Sequence, residues 1–317
     1  MMVGISVIIP TMNRPDSLVR TLNHMIVCDE RPDQIIVVDQ SQTEEQQNEN
    51  REVINSLADS FPQIVYKYQK TPSLTKARNY GYSFAEHEIV VFSDDDVDVR
   101  KNTFAVLRSL FAYSSSSIAM VGGVNEGEED MSPSTISYIL GMASYRKRKK
   151  GHIARACYGR FPCITEEKTP TEWAMGFFFA VRKSLMDKWM VRFDENLLSY
   201  AYAEDLDFSY GYYLHAKKEN LQCIMSRMIT VKHNVSKEYR IPKRDHVFMS
   251  VLHRYYISNK FSLPLYELNN LWCNLGIMFF KLLKNERSMD MFDAQVFYYQ
   301  HRKDILQGRF LNELWAK

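Results

Sequence analysis

Glycine and proline are scarce in this chain, 12 and 10 among 317 residues, and cysteine numbers only five. So little glycine and proline excludes collagen-like and low-complexity chains. The cysteines, Cys28, Cys157, Cys163, Cys223 and Cys273, are odd in number, scattered and without a CxxC pair. A disulfide scaffold is thereby excluded, and reduced thiols in a cytoplasmic protein are expected. Long apolar runs are missing too. The longest, Leu271 to Leu283, is broken by Asn274 and Lys281 and falls short of the ~20 residues that span a bilayer. The start, Met1-Met2-Val3-Gly4, carries no basic n-region, so no secretory signal is expected. There is no internal repeat and no GxGxxG, Walker A or HExxH pattern, which disfavours dehydrogenase, P-loop and zinc-protease chemistry.

Hydrophobic residues make up 45% of the chain, enough for a sizeable core in one large domain or two ordinary ones. Charge nearly balances, 40 Lys and Arg against 38 Asp and Glu, yet it is unevenly spread. Residues 1–140 hold 11 basic and 20 acidic residues, 141–231 hold 15 and 10, and 232–317 hold 14 and 8. An acidic front suits a cation, and a basic rear suits an anionic partner such as a nucleic acid or a membrane surface.

The first hundred residues alternate β-branched runs with amphipathic stretches. Ile5 to Ile9 reads as a strand ended by Pro10, followed by a helix near 17–27. Ile35 to Val38, ending at Asp39, Ile64 to Tyr68, and Ile89 to Phe92 are the next strands, separated by helices near 44–59 and 74–85. Such βαβ units predict a parallel sheet whose ligands bind beyond the carboxyl ends of the strands. Polar residues cluster there: Pro10-Thr11-Met12-Asn13-Arg14, Asp39-Gln40-Ser41 and Ser93-Asp94-Asp95-Asp96. Further on, a helix near 102–113, the run Met120 to Gly123, a strand at Gly176 to Val181, a helix near 183–189 and a helical region from about 236 are expected.

Strand alternation puts Asp94 and Asp96 on one side. Crowded carboxylates repel unless a cation neutralises them, and oxygen ligands favour Mg²⁺ or Mn²⁺; a solvated acidic turn is the plain alternative. An EF-hand is rejected, since Val99 stands where glycine is needed and Ala105 where glutamate is. Glu204-Asp205-Leu206-Asp207, among Tyr200, Tyr202, Phe208 and Tyr210, reads either as acids favoured at a helix start or as a base held there. His233 alone reads as a structural histidine.

Taken in order, Val7-Ile8-Ile9-Pro10-Thr11-x-Asn13-Arg14, Ile36-Val37-Val38-Asp39-x-Ser41, Ala77-Arg78-Asn79-x-Gly81, Asp94-Asp95-Asp96, Gly122-Gly123, Phe193-Asp194-Glu195, Glu204-Asp205 and Val231-Lys232-His233 resemble the GT-A fold glycosyltransferases of family 2. The similarity runs from residue 3 to about 235. It implies an α/β GT-A fold, Rossmann-like with a mainly parallel central sheet flanked by helices, as a catalytic domain over 1–235 with a helical C-terminal extension over 236–317. By the same resemblance Thr11, Arg14 and Asp39 hold the nucleotide, and Arg78 faces the base or diphosphate. Asp94 meets the ribose, Asp96 the metal and diphosphate, and His233 is a further metal ligand. Asp205 matches the catalytic base, with Glu204 beside it to orient the acceptor.

The activity so implied is inverting transfer of a sugar from a nucleotide diphosphate-sugar, read as a UDP-sugar, to a hydroxyl of a glycan or lipid-linked glycan, with Mg²⁺ or Mn²⁺ as cofactor and a role in polysaccharide biosynthesis. Ala174-Met175-Gly176-Phe177-Phe178-Phe179 departs from the commoner Gly/Asn-rich approach to the acceptor, and the QxxRW signature of processive synthases is missing. The alternatives are a non-catalytic nucleotide-sugar or polysaccharide-binding module, and a nucleotidyltransferase, although no Gly-rich Arg/Lys loop follows the first strand. No nucleic acid is expected, because the basic residues lack a reading motif. For the C-terminal part, Leu271-Trp272, Ile277 to Phe280 and Leu282-Leu283 with Lys281, Lys284 and Arg287, aided by Arg146 to Lys150, suggest a peripheral site on an anionic membrane at its cytoplasmic face. Core packing and oligomerisation are the competing readings.

Overall fold

The computed structural model describes residues 3–113, 117–128, 134–143, 150–162, 167–197, 199–235, 242–284, 289–309 and 311. Cys163, Arg287 and the basic residues 146–149 lie outside the described residues. The first half runs β1 (Ile5–Thr11), α1 (Pro15–Ile26), β2 (Gln34–Asp39), α2 (Glu44–Ala58), β3 (Ile64–Tyr68), α3 (Leu74–Tyr82), β4 (Ile89–Ser93), β5 (Val97–Val99), α4 (Thr103–Tyr113) and β6 (Ile118–Asn125). Then come α5 (Thr135–Ile139), β7 (His152–Ile153), β8 (Gly159–Arg160), β9 (Thr169–Pro170), β10 (Phe178–Arg182), α6 (Lys183–Trp189), α7 (Glu204–Lys218) and β11 (Gln222–His233). The helices α8 (Lys243–Lys260), α9 (Tyr266–Leu283), α10 (Asp290–Gln300) and α11 (Arg302–Leu306) follow.

Nine strands form the main sheet in the order β3-β2-β1-β4-β10-β6-β11-β5, with β9 added along β11. The pairs β1–β2, β1–β4, β2–β3 and β6–β11 are parallel, while β10 runs antiparallel to both β4 and β6. Every residue of β1, β2 and β4 is buried, which is why these runs are continuously apolar rather than alternating. Alternate side chains serve opposite cores: Ile5, Val7 and Ile9 pack towards Leu18, Leu22 and Phe104, whereas Ile8, Val90 and Phe92 pack towards Ala77, Met186 and Phe208.

The first strand runs through Pro10 to Thr11, two residues past its expected end at Ile9. Thr11 accepts from the Gln40 N–H on the β2 side and Gly4 accepts from the Ile89 N–H on the β4 side, so even-numbered residues face β4. The donor that Pro10 lacks would therefore point towards β4, whose ladder has ended at the Ile8–Phe92 pair. Helix α3 stops at Tyr82, earlier than its pattern suggested. The glycine pair does permit close approach, because a Cβ on Gly123 would stand 2.9 Å from the Phe178 carbonyl oxygen.

The C-terminal helices join a third core that includes Cys157, Trp173, Leu197, Ala201 and Leu206 from the preceding chain. Helix α8 is buried on all sides from Val247 to Ser258, the pattern of an interior helix. Cys28, Cys157, Cys223 and Cys273 are buried free thiols. Among the described residues no helix is long and apolar enough to cross a membrane.

Candidate active site

The carboxyl ends of β1, β2 and β4 open onto a cleft of about 560 Å³, closed on its other side by the start of α7, His233 and the turn Tyr158-Gly159. Thr11, Arg14, Asp94, Asp95, Asp96, Glu204, Asp205 and His233 all line it. Asp39 and Arg78 do not. Asp39 is fully buried, its oxygens occupied by the Ser41 N–H at 2.8 Å and the Tyr66 hydroxyl at 2.7 Å. It thereby shapes the turn that presents Gln40 and Gln42 to the cleft.

The three consecutive aspartates split by role. Asp95 turns inward, where it accepts from the Thr11 hydroxyl at 2.7 Å and from Arg14 at 3.1 Å, while its carbonyl accepts from the Thr21 hydroxyl. Burial pushes the Asp95 carboxyl up to about 7, against the pull of Arg14 and Thr11. Asp95 thus binds the loop after β1 to the loop after β4. Asp96 Oδ1 lies 3.1 Å from His233 Nε2 and Asp94 Oδ2 lies 4.0 Å from it. Burial opposes charge on His233, yet the Asp96 and Asp94 carboxylates raise its pKa above the ordinary histidine value. Phe177 stacks on the imidazole at 5.2 Å and fixes its plane.

Asp94, Asp96 and His233 each offer one ligand atom, and these atoms lie within 4.8 Å of one another. Two carboxylates and an imidazole make a donor set suited to Mn²⁺, or to Mg²⁺ when phosphate and water oxygens complete the shell. The residues present therefore fit a divalent cation.

Across the cleft, α7 begins at Glu204 without a side-chain cap, and its N-cap Ala203 is left-handed. Ser199, Ala201 and Ala203 all have positive φ, at 57°, 51° and 65°, a costly conformation for residues with a Cβ. Leu74 N–H holds the turn at the Ser199 carbonyl. The result aims two carboxylates into the cleft. Asp205 accepts from Gly176 N–H at 2.8 Å and from Leu206 N–H at 2.7 Å. Burial raises its pKa while those two backbone donors and Arg78 restrain the rise. Glu204 is pushed up to about 8 by burial and by Asp205 beside it.

Arg78, fully buried, binds this end to the other. It donates to Glu204 Oε1 at 2.8 Å, to Asp94 Oδ1 at 3.0 Å and to the Gly176 carbonyl at 3.0 Å. Sequence reasoning missed Gly176 as the junction. A Cβ there would stand 3.1 Å from Arg78 Nη2 and from Glu204 Oε1, and 3.2 Å from Asp205 Cβ. Its signal was a lone glycine in an apolar run just before a strand. The strained turn at 199–203 gave none, for it contains no glycine.

The family model for glycosyl transferase family 2 matches residues 6–163. The chain carries a family 2 glycosyl transferase domain. Solved structures share its fold. The mannosyltransferase PcManGT from Pyrobaculum calidifontis, in complex with GDP-Man and Mn²⁺, superposes with a TM-score of 0.57 at 14% identity, covering 100% of this chain and 88% of its own. TarS 1-349 from S. aureus gives 0.50 at 16% identity, over 96% of this chain and 90% of its own. GalNAc-T7 with UDP, GalNAc and Mn²⁺ gives 0.56 at 14% identity, over 96% of this chain but 59% of its own length. No curated protein matches the sequence. The match stops before Gly176 and α7, so the second carboxylate pair lies beyond the matched residues.

Proposed function

We propose that the protein is an inverting glycosyltransferase that moves a sugar from a nucleotide diphosphate-sugar, a UDP-sugar in our reading, to a hydroxyl of a glycan or lipid-linked glycan. One observation carries this: a restrained carboxylate, Asp205, faces the Asp94, Asp96 and His233 group within a single cleft. The acceptor oxygen attacks the anomeric carbon as its proton passes to the Asp205 carboxylate. The bond from that carbon to the diphosphate breaks, and its electron pair leaves with the nucleoside diphosphate. Attack from the face opposite the leaving group inverts the anomeric centre.

Asp205 suits the base role because burial raises its basicity while two backbone N–H groups fix its plane. Glu204, raised by burial and by Asp205 beside it, lies next to the incoming hydroxyl and orients it. A divalent cation at Asp94, Asp96 and His233 supplies positive charge for the leaving diphosphate. The loop from Thr11 to Arg14, tied down by Asp95, and the turn behind Asp39 form the wall for the nucleotide. Arg78 acts from beneath, positioning Asp94 and Glu204 rather than touching the donor.

Product analysis tests the reading. With Mn²⁺, a panel of nucleotide sugars and a hydroxyl acceptor, release of nucleoside diphosphate and an inverted product anomer are expected. Asp205→Asn should keep donor affinity and lose on the order of 10²–10⁴-fold in turnover. Pyrophosphate release would instead mean nucleotidyl transfer, and donor binding without turnover a binding module.

A further inference from the structure

Helix α9 buries polar side chains and leaves much of its apolar surface outside. Its fully buried positions are Asn270, Cys273 and Asn274, whereas Leu268, Trp272, Leu275, Phe279, Leu282 and Leu283 are exposed at 49% to 66%. The cause is a buried guanidinium. Arg254 of α8 donates to Asn270 Oδ1 at 3.0 Å and to Asn274 Oδ1, and also to the carbonyls of Ser250 and Ala156. Asn274 then donates to Gln295 of α10 at 2.8 Å. Each of these polar groups would be left unpaired in the interior if α9 rolled over. The network therefore clamps Asn270 and Asn274 inward, beside Cys273, Ile277 and Met278, and leaves Leu268, Leu275, Phe279 and Leu282 outward.

The neighbouring elements extend the same face. On α10 the exposed apolar residues are Phe292, Val296 and Tyr299, with Met289 at its start. On α5 they are Ile136, Tyr138 and Ile139, and Trp272 Nε1 donates to the Ile139 carbonyl at 2.9 Å. Contiguous exposed apolar surface of this kind marks an interaction site.

Charge decides what covers it. Between Leu268 and Leu283 the one charged residue is Lys281, followed by Lys284. Among the described residues the nearby acids are matched: Glu267 by Arg302, and Asp290 and Asp293 by Arg244 at 3.1 and 2.9 Å. A coiled-coil partner would call for a narrow seam flanked by charges of both signs. This face is broad, and its flanking charge is cationic.

We propose that the α5–α9–α10 face lies in the headgroup region of an anionic membrane, with Leu268, Leu275, Phe279 and Leu282 entering the acyl boundary and Lys281 and Lys284 at the phosphates. The apolar face supplies the hydrophobic contact, and Lys281 and Lys284 supply the attraction to anionic headgroups.

Flotation of the full-length protein with vesicles tests this without any donor or acceptor, so its outcome is independent of the proposed transfer. The protein should float with vesicles of equal phosphatidylcholine and phosphatidylglycerol at low salt and much less with phosphatidylcholine alone. Phe279→Ser with Leu282→Ser should lower partitioning at least tenfold while the circular dichroism melt is retained. Should that variant unfold, Leu268→Ser with Leu275→Ser makes the same test. Lys281→Gln and Lys284→Gln should each weaken binding roughly fivefold. Absence of flotation, or partitioning unchanged in folded variants, overturns the proposal. So does a lipid-free dimer that these substitutions convert to monomer without altering flotation, which would make the face an interface between copies.

Discussion

Arg78 and Glu204 meet in a buried contact, Nη1 to Oε1 at 2.8 Å, with side chains 1% and 9% exposed. The same guanidinium reaches Asp94 through its other amino group. One side chain from α3 therefore spaces the carboxylates on the two sides of the cleft.

Replacing Arg78 by Met removes the partner of two carboxylates at once. Breaking a buried pair from one side costs about 3–5 kcal/mol, so the urea midpoint should fall markedly. Arg78→Lys, which cannot reach both acids with a planar fork, should recover only part of the loss. Equal stability of all three proteins would show that the pair contributes nothing.

Gly176→Ala addresses the junction itself. The added methyl would stand 3.1 Å from Arg78 Nη2 and from Glu204 Oε1. Overpacking of this kind costs about 1–3 kcal/mol, and displacement of the Asp205 carboxylate should lower turnover by roughly 10²-fold. Steady-state kinetics alongside a thermal melt check it; full turnover would mean that the Gly176 contact does not set the position of Asp205.

Glu204 makes stability depend on pH. Its carboxyl, raised to about 8 in the folded protein, holds a proton that the unfolded chain releases near its ordinary ~4.3. The folded state then binds more protons between those values, so this contribution is fully present below the unfolded pKa and is lost as pH rises towards 8. Glu204→Gln should gain stability relative to the parent from pH 5 to pH 8, as read from denaturant midpoints. A difference that does not change with pH would mean that Arg78 keeps Glu204 ionised throughout.

Cation binding should require Asp96 and weaken in acid. Asp96→Asn should lower Mn²⁺ affinity at least about tenfold by calorimetry. Because the raised pKa of His233 keeps it protonated above the ordinary histidine value, protons should compete with the ion, and affinity should climb as pH rises past ~6.5. Undiminished Mn²⁺ binding by Asp96→Asn would place the ion elsewhere.

Much of the fold was legible because local pattern and burial coincide. Ile64–Tyr68 and Lys183–Trp189 have the bounds their pattern predicts, and the polar ends of β1, β2 and β4 do converge on one cleft. The short strand β5 was not anticipated, since three residues after an acidic turn carry too little periodicity to register. Among the site residues, the acidic triplet and Glu204-Asp205 stood out by their charge. Asp39 and Arg78 also stood out, but sequence placed them in the cleft, and the fold places them under its wall.

Sequence by itself determined the alternation of the main strands and helices over the first hundred residues, the carboxylates available and the unusual supply of Leu, Trp and Phe in α9, because propensity and period act over a few neighbouring residues. Tertiary structure decided how those residues divide the work. Three adjacent aspartates are alike in sequence, and only the positions of Thr11, Arg14 and His233, brought from distant parts of the chain, turn Asp95 inward and leave Asp94 and Asp96 to face a cation. The same holds for α9: apolar residues ring most of the helix, and Arg254 on α8, which binds Asn270 and Asn274, fixes which of them turn outward because a buried guanidinium must be hydrogen-bonded.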